Sequence, residues 1–501
     1  MELLKDRINM NTSNNYEPTW ESIRKHKTPS WFQKAKFGIY AHWGPYSVPA
    51  AGPNVTWYPY WMYREPSPQF DYHCKNFGHP SKFGYKDFIP MFKAEHFDAE
   101  EWADLYARSG AKFAGPVAEH HDGFPMWNCA DTKWCAAKMG PKRDIVGELE
   151  KSIRAKGLKY MVAMHHAENW YFYPHWNKSF DTSNPEFSGL YGEPHNIKNP
   201  PTKPSHPKHW DQDGNEPQDK PSKAFHDRWL NRLKEVVDNY EPDYIWFDFG
   251  IRYLHEKYRK EFLSYYYNKE AEWNKEVVIS YKDHGEWHDL PVGSGVLDIE
   301  LGRKSELTHY QWITDTTVHD GSAWAYMKDS KYKSTTELVQ YLIDNVSKNG
   351  FMLLNIGPKP NGIIPDEDKS ILEGIGKWLE VNGEAIFDTE PWDQFGEGPT
   401  EMKAIGPFSD NREKLIHTPE DIRFTTKNNI LYATTLGWPS KEFLIKSCKR
   451  FFSDEVLSVE LLGSKSKLNW KLSNEGLHIE RPDDRPSDHA SCFKIIRKEE
   501  F

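Results

Sequence analysis

Four segments of this chain close an apolar run with groups that can hold or move a proton. They are His42-Trp43-Gly44, His120-His121-Asp122-Gly123-Phe124, His165-His166 with Glu168, Asn169 and Trp170 behind it, and Tyr244-Ile245-Trp246-Phe247-Asp248-Phe249-Gly250. An apolar run that ends in a carboxylate, with glycine two residues on, suits a β/α-barrel strand. It delivers an acid to the loops at the strand's C-terminal end. Taken alone, such an aspartate more often caps a turn, and a lone histidine more often serves structure. Four such ends in succession would converge on one barrel mouth, and that convergence makes them a candidate site.

The chemistry open to such a mouth is decided by how many carboxylates it holds. Cleaving a glycosidic bond with retention takes one as nucleophile and a second as acid/base, about 5–5.5 Å apart. Their environments must differ enough to keep one ionised and the other protonated. Asp248 fits the first role. In Val296-Leu297-Asp298-Ile299-Glu300-Leu301-Gly302-Arg303, period two puts Asp298 and Glu300 on one face, and Glu300 is the choice for the second role. Glu256, Glu286 and Glu306 fall on loops or helices and are weaker choices. Metal hydrolysis is the competing reading of so many histidines. Strand-borne ligands share a face as His-x-His, whereas the pairs here are adjacent and His-Glu-x-x-His is missing. No metal and no cofactor is therefore expected. No P-loop, dinucleotide-binding glycine motif or GxSxG elbow is present.

The elements that must position these groups alternate. Residues 36–42, 112–118, 158–164, 244–247, 277–280, 296–299, 311–313 and 351–356 read as strands. Helices are predicted from Asp98 to Gly110, over 144–156 and 224–239, from the end of the strand at 244–247 to about Asn274, and over 334–348 and 366–381. This order predicts a (β/α)8-like barrel followed, beyond Pro391, by a C-terminal all-β sandwich with short strands at 430–436, 442–445, 457–462, 468–472 and 477–480. The expected layout is a tail over 1–17, a catalytic barrel over 18–392 and the sandwich over 393–501. Residues 172–222 form a connection too long for an ordinary loop, as lids and insertions are.

Composition narrows the classes further. A chain of 501 residues can bury a large core, and its formal charge of -10 argues against a nucleic-acid partner. No run approaches the roughly 18 apolar residues of a membrane helix. Five cysteines without metal spacing imply no disulfide framework. The polar N-terminus carries no signal-peptide core, so the sequence as written reads as cytoplasmic, or as periplasmic or secreted if an export signal has been removed. Aromatic residues make up 15%, with 21 tryptophans and 26 tyrosines. Flat apolar faces with hydrogen-bonding rims suit sugar rings.

Set together, these segments resemble the α-L-fucosidases of glycoside hydrolase family twenty-nine. The resemblance rests on Trp31-Phe32, the run Lys36-Phe37-Gly38-Ile39-Tyr40-Ala41-His42-Trp43-Gly44-Pro45, Trp57-Tyr58 and His120-His121-Asp122-Gly123-Phe124. It continues in Tyr244–Asp248, Gly350–Pro358 and Asn382-Gly383-Glu384-Ala385-Ile386-Phe387, and it spans about residues 18–392 in order. The resemblance implies a retaining exo-glycosidase without a required metal. Asp248 would be its nucleophile, and His42, Trp57, His120 and His121 its sugar contacts; Trp43, His166, Trp170, Trp246, Lys282 and Trp312 complete the expected binding set. The Gly-Arg after Glu300 and the segment Trp312-Ile313-Thr314-Asp315-Thr316 resemble the branch whose acid/base sits at Glu300. Thr56 and Lys282 depart from common glutamate and arginine positions. They leave an α-L-galactosidase open as the alternative activity, and Lys282 suggests tolerance of a sulfated sugar. A catalytically inactive carbohydrate-binding barrel is the alternative from another class. The expected partner is a fucosylated oligosaccharide, or an L-galactosylated or sulfated one. The sequence leaves the oligomeric state open.

Overall fold

The computed structural model describes residues 15–196, 220–321 and 323–498. Most of the expected tail over 1–17, and residues 197–219 of the long 172–222 connection, lie outside the described residues. Eight parallel strands close into a barrel in sequence order. They are β1 (Phe37–Ala41), β2 (Phe113–Glu119), β3 (Lys159–Met164), β4 (Tyr244–Phe247), β5 (Val278–Lys282), β6 (Val296–Asp298), β7 (Trp312–Thr317) and β8 (Gly350–Ile356). Both faces of these strands are buried, as parallel strands require when helices cover them.

Alternation divides the strand side chains between two cores. Tyr40, Val117, Met161, Ala163, Trp246, Val278, Val296, Ile313 and Leu353 pack inside the barrel. Ile39, Val162, Ile245, Ile279 and Leu354 pack outward with the helices. The helix Ser30–Ala35 sets Phe32 under the barrel, against the rings of Phe113, Tyr244 and Phe351 at 5.5, 5.2 and 5.0 Å. With that end stoppered, the C-terminal strand ends form the open mouth. Gly38 is dictated by this packing: a Cβ there would lie 2.1 Å from the Phe113 ring.

Six long helices flank the barrel: Ala99–Arg108, Ile145–Ala155, Lys223–Tyr240, Glu256–Trp273, Thr335–Ser347 and Asp366–Asn382. Five of these starts carry a side-chain cap, and Asp366 follows Pro365 without one. The Asp98 carboxylate accepts from the amides of Glu100 and Glu101, and Ser334 and Glu337 cap each other's backbone. No helix follows β5 or β6, where 283–295 and 299–311 run as turns and loops. β7 extends four residues beyond the expected 311–313, which carries Asp315 into the mouth.

The C-terminal region is a two-sheet sandwich. One sheet has β9 (Glu390–Glu397), β10 (Ile422–Lys427), β11 (Ile430–Thr435), β13 (Val456–Leu461) and β16 (Ser491–Arg497). The other has β12 (Glu442–Ile445), β14 (Asn469–Ser473) and β15 (Gly476–Glu480). Phe424, Leu431, Leu477, Ile479 and Phe493 fill the space between them. The first sandwich strand starts at Glu390, just ahead of the expected boundary at 393. Among the described residues, no helix is long and apolar enough to cross a membrane.

Candidate active site

Period two along each strand decides which side chains reach the mouth. Tyr40 leads to His42, Met161 and Ala163 to His165, and Tyr244 and Trp246 to Asp248. Ser280 leads to Lys282, Asp298 to Glu300, and Ile313 to Asp315. Strand β2 breaks the count, because its register against β3 shifts between Val117 and Glu119. His120 then faces the mouth, while buried Glu119 pairs outside it with Arg232 and His166. The result is a cavity of about 290 Å³ at the barrel mouth. Around its polar groups, Trp57, Trp246, Phe249 and Trp324 supply aromatic walls.

Asp248 and Glu300 share one cation. The Lys282 ammonium lies 3.9 Å from Asp248 Oδ1 and 3.2 Å from Glu300 Oε2, and also 3.0 Å from Asp298 and 2.9 Å from Asp315. The separation of the two nearest carboxylate oxygens cannot exceed the first two distances end to end. That admits the roughly 5–5.5 Å of a retaining pair and excludes most of the roughly 6.5–9.5 Å of an inverting one. Asp298 is fixed by Trp246 Nε1, which donates to its Oδ2 at 2.9 Å, and its Oδ1 accepts from the Asp315 amide.

The environments push the two carboxyls apart. Burial raises Asp248, but the nearby His165 ring, His121, whose Nε2 lies 3.1 Å from its Oδ2, and Lys282 outweigh it. The carboxyl is held well below its ordinary range. Glu300 moves the other way, up to about 8, because burial and the charges of Asp315 and Asp248 outweigh Lys282. Its side chain keeps 18% exposure, onto the cavity. At neutral pH one carboxyl is therefore ionised and the other holds its proton. Asp298, buried beside Asp315, is also raised far above the usual range.

The histidine side is held mostly neutral. Burial pushes His42 down to about 4 and drives His120 and His165 well below the ordinary imidazole range. Asn355 Oδ1 accepts from both His42 Nδ1, at 2.8 Å, and the His42 amide, while its Nδ2 donates to Thr317 and to the Trp324 carbonyl. That network fixes the amide's orientation and leaves His42 Nε2 as a lone pair for the cavity. His42, His120 and His165 each bring a ring nitrogen within 4.8 Å of the other two, so together they have the spacing to hold a metal ion. The triad takes one histidine from each of three strand ends, although the sequence holds no His-x-His pair on a strand. Neutral imidazoles could equally bond sugar hydroxyls.

Of the residues expected from sequence, His42, Trp57, His120, Trp246, Asp248 and Glu300 line the cavity, and His121 and Lys282 contact Asp248 from behind it. Four others lie elsewhere. His166 faces away, with Nδ1 2.7 Å from Glu119, and His165 takes its expected place. Trp43 points outward into Phe92, Phe97 and Trp102 and donates to the Lys359 carbonyl. Trp312 has the opposite parity to Asp315 and donates to the Lys348 carbonyl. Trp170 stacks on His195 at 3.9 Å. Lys282 is buried among four carboxylates and has no free charge for a sulfate. Sequence reasoning missed Asp315, legible by alternation, and Asn54, His284, Trp287, Trp324 and Phe408, which loops deliver to the cavity wall.

Residues 3–384 match the family model described as alpha-L-fucosidase, and 417–496 match the alpha-L-fucosidase C-terminal domain. The chain belongs to the alpha-L-fucosidase family. It is similar to a plasma alpha-L-fucosidase of Rattus norvegicus, at 31% identity over 96% of this chain and 93% of that protein. A tissue alpha-L-fucosidase of the same organism is 30% identical, covering 94% and 89%. The crystal structure of Thermotoga maritima alpha-fucosidase with a mechanism-based inhibitor aligns with TM-score 0.73 and 30% identity, over 96% of this chain and all of that one. The same enzyme with fucose gives 0.72 and 29% at the same coverage. The barrel-plus-sandwich architecture is thus the one this family shares.

Proposed function

We propose that the chain is a retaining exo-α-L-fucosidase that removes terminal α-L-fucose from oligosaccharides or glycans. The observation that carries the reading is the pair Asp248 and Glu300, which share Lys282 at one cavity while their environments drive their protonation apart. Asp248 attacks the anomeric carbon as Glu300 gives its proton to the departing glycosidic oxygen. A covalent fucosyl ester forms and the aglycone leaves as an alcohol. Glu300, now a carboxylate, takes a proton from water, the water oxygen attacks the anomeric carbon, and the ester bond to Asp248 breaks. Two inversions give overall retention.

Lys282 suits this exchange. During the first step one negative charge disappears from Asp248 and one appears on Glu300, and the ammonium touches both positions. Esterification also removes one of the charges that raise Glu300. Its basicity then falls when the step no longer needs a bound proton. His42, His120 and His165 would bond the fucose hydroxyls, while Trp57, Trp246, Phe249 and Trp324 give the apolar methyl and ring faces a dry wall.

Azide separates the two carboxylate roles by product. Asp248→Ala is expected to lose roughly 10⁴-fold or more in kcat on an aryl α-L-fucoside, and azide should restore turnover with the inverted β-fucosyl azide as product. Glu300→Ala should lose roughly 10²–10⁴-fold on poor leaving groups, and azide should yield the retained α-fucosyl azide. Substantial activity in Asp248→Ala without azide, or rescue with the opposite anomers, would overturn these assignments.

A further inference from the structure

The wall of the cavity on the Glu300 side is completed by a segment from beyond the barrel. Residues 406–410 are stitched to the loop after β6. The Gly406 amide donates to the Arg303 carbonyl at 2.8 Å, Phe408 to the Glu300 carbonyl at 2.7 Å, and Asp410 to the Leu301 carbonyl at 2.9 Å. Arg303 and Asp410 add an ion pair at 2.6 Å, with Lys333 3.4 Å from the same carboxylate. This anchoring holds Phe408 at φ +57, a conformation that costs an L side chain strain and persists only where its surroundings impose it.

The Phe408 ring is not absorbed by packing. It belongs to none of the apolar cores and is 41% exposed. Among the described residues it is the one exposed large hydrophobic that lines this cavity. Trp287, also in the wall, is held differently. The His284 ring stacks on it at 3.5 Å and the Arg252 guanidinium sits 3.6 Å from its centroid, so the indole is clamped in place. A clamped indole and an open phenyl ring therefore line the same cavity as the acid/base. The segment bearing Phe408 falls between the two matched family regions, 3–384 and 417–496, so neither family pattern accounts for it.

The leaving oxygen takes its proton from Glu300, so the group attached to that oxygen must lie on the Glu300 side. We propose that Phe408, with Trp287 in the same wall, is the platform for the first sugar ring of the leaving group, with the ring's C–H face on the phenyl. This rests on the fucosidase reading above, and it makes the segment after the barrel a determinant of which fucosylated acceptor is cleaved.

The test compares wild type, Phe408→Ala and Phe408→Trp on three kinds of donor. α-L-Fucosyl fluoride requires neither a ring nor a proton donor. Methyl α-L-fucoside requires the proton from Glu300 but offers no ring. A panel of fucosyl disaccharides offers both. Phe408→Ala is expected to lose about tenfold more kcat/KM on its best disaccharide than on the methyl fucoside, and Phe408→Trp should recover most of that difference. Equal losses on the methyl fucoside and the disaccharide would mean that Phe408 only holds Glu300 in place, and no loss on either would mean that the ring meets nothing; either overturns the subsite. A wild-type protein inert toward fucosyl fluoride would instead overturn the parent reading, so the two failures are distinguishable.

Discussion

Strands β1–β4 surround one carboxylate with imidazoles, whereas β5–β7 surround one ammonium with carboxylates. On the first side Asp248 meets His121 and His165. On the second, Lys282 meets Asp298, Glu300 and Asp315, and it reaches back across the mouth to Asp248. Burial alone would raise both Asp248 and Glu300. The difference between the sides is what sends them in opposite directions: the imidazoles and a cation lower Asp248, while neighbouring carboxylates raise Glu300. A nucleophile and an acid are thus made from two carboxyl groups in one cavity.

Removing the cation should disturb the comparison most. Lys282→Met strands buried carboxylates without a partner, and losing one member of a buried ion pair typically costs about 3–5 kcal/mol. Urea denaturation should show that loss. Lys282 lowers both Asp248 and Glu300, so both limbs of the kcat/KM–pH profile are expected to move to higher pH. Lys282→Arg keeps the charge and should keep most of the stability. A Lys282→Met protein with unchanged limbs would show that the ammonium does not tune the pair.

A smaller change sharpens the carboxylate side. Activity that needs protonated Glu300 must fall as pH rises through about 8. Asp315 is one of the charges that raise Glu300, and Asp315→Asn removes that charge while freeing Lys282, 2.9 Å away, to favour the Glu300 carboxylate. Both effects have one sign. The alkaline limb should move to lower pH while the acid limb, set by Asp248, moves less; an alkaline limb displaced upward would contradict this account of Glu300.

Much of this site was legible from strand alternation, and the misreadings show what alternation needs. Counting by twos from the inward residues Met161 and Ala163 leads to His165, not His166. The same count from Ile313 selects Asp315 over Trp312, and from Tyr40 selects His42 over Trp43. Strand β2 is different. Its register shift after Val117 reverses the parity, and nothing in Glu119-His120-His121 announces a bulge. Glu300 lies two residues past the end of β6, yet keeps the face that period two assigns to it. The barrel was readable because eight apolar runs punctuate the chain. In the sandwich, β9, β10 and β16 were not, since their weaker patterns become strands through pairing with distant partners. Trp287, Trp324 and Phe408 arrive on loops whose course depends on tertiary contacts, so no local pattern places them at the mouth.

The imidazole side admits the smallest effect, and it decides what that side is for. His42, His120 and His165 are kept neutral by burial and converge closely enough to ligate an ion. The same lone pairs and N–H groups are what a sugar with several hydroxyls would use, and the two uses exclude each other at one point in space. If the cluster binds sugar, exhaustive treatment with a chelator should leave kcat/KM unchanged. Added Zn²⁺ should then inhibit competitively with fucose, and less strongly as pH falls and the imidazoles begin to protonate. His42→Phe should weaken the Zn²⁺ inhibition as well as fucose binding, because it removes one ligand of both. Loss of activity in chelator, restored by Zn²⁺, would instead assign the three histidines to a metal. The division between a sugar-holding side and a proton-transferring side would then have to be redrawn.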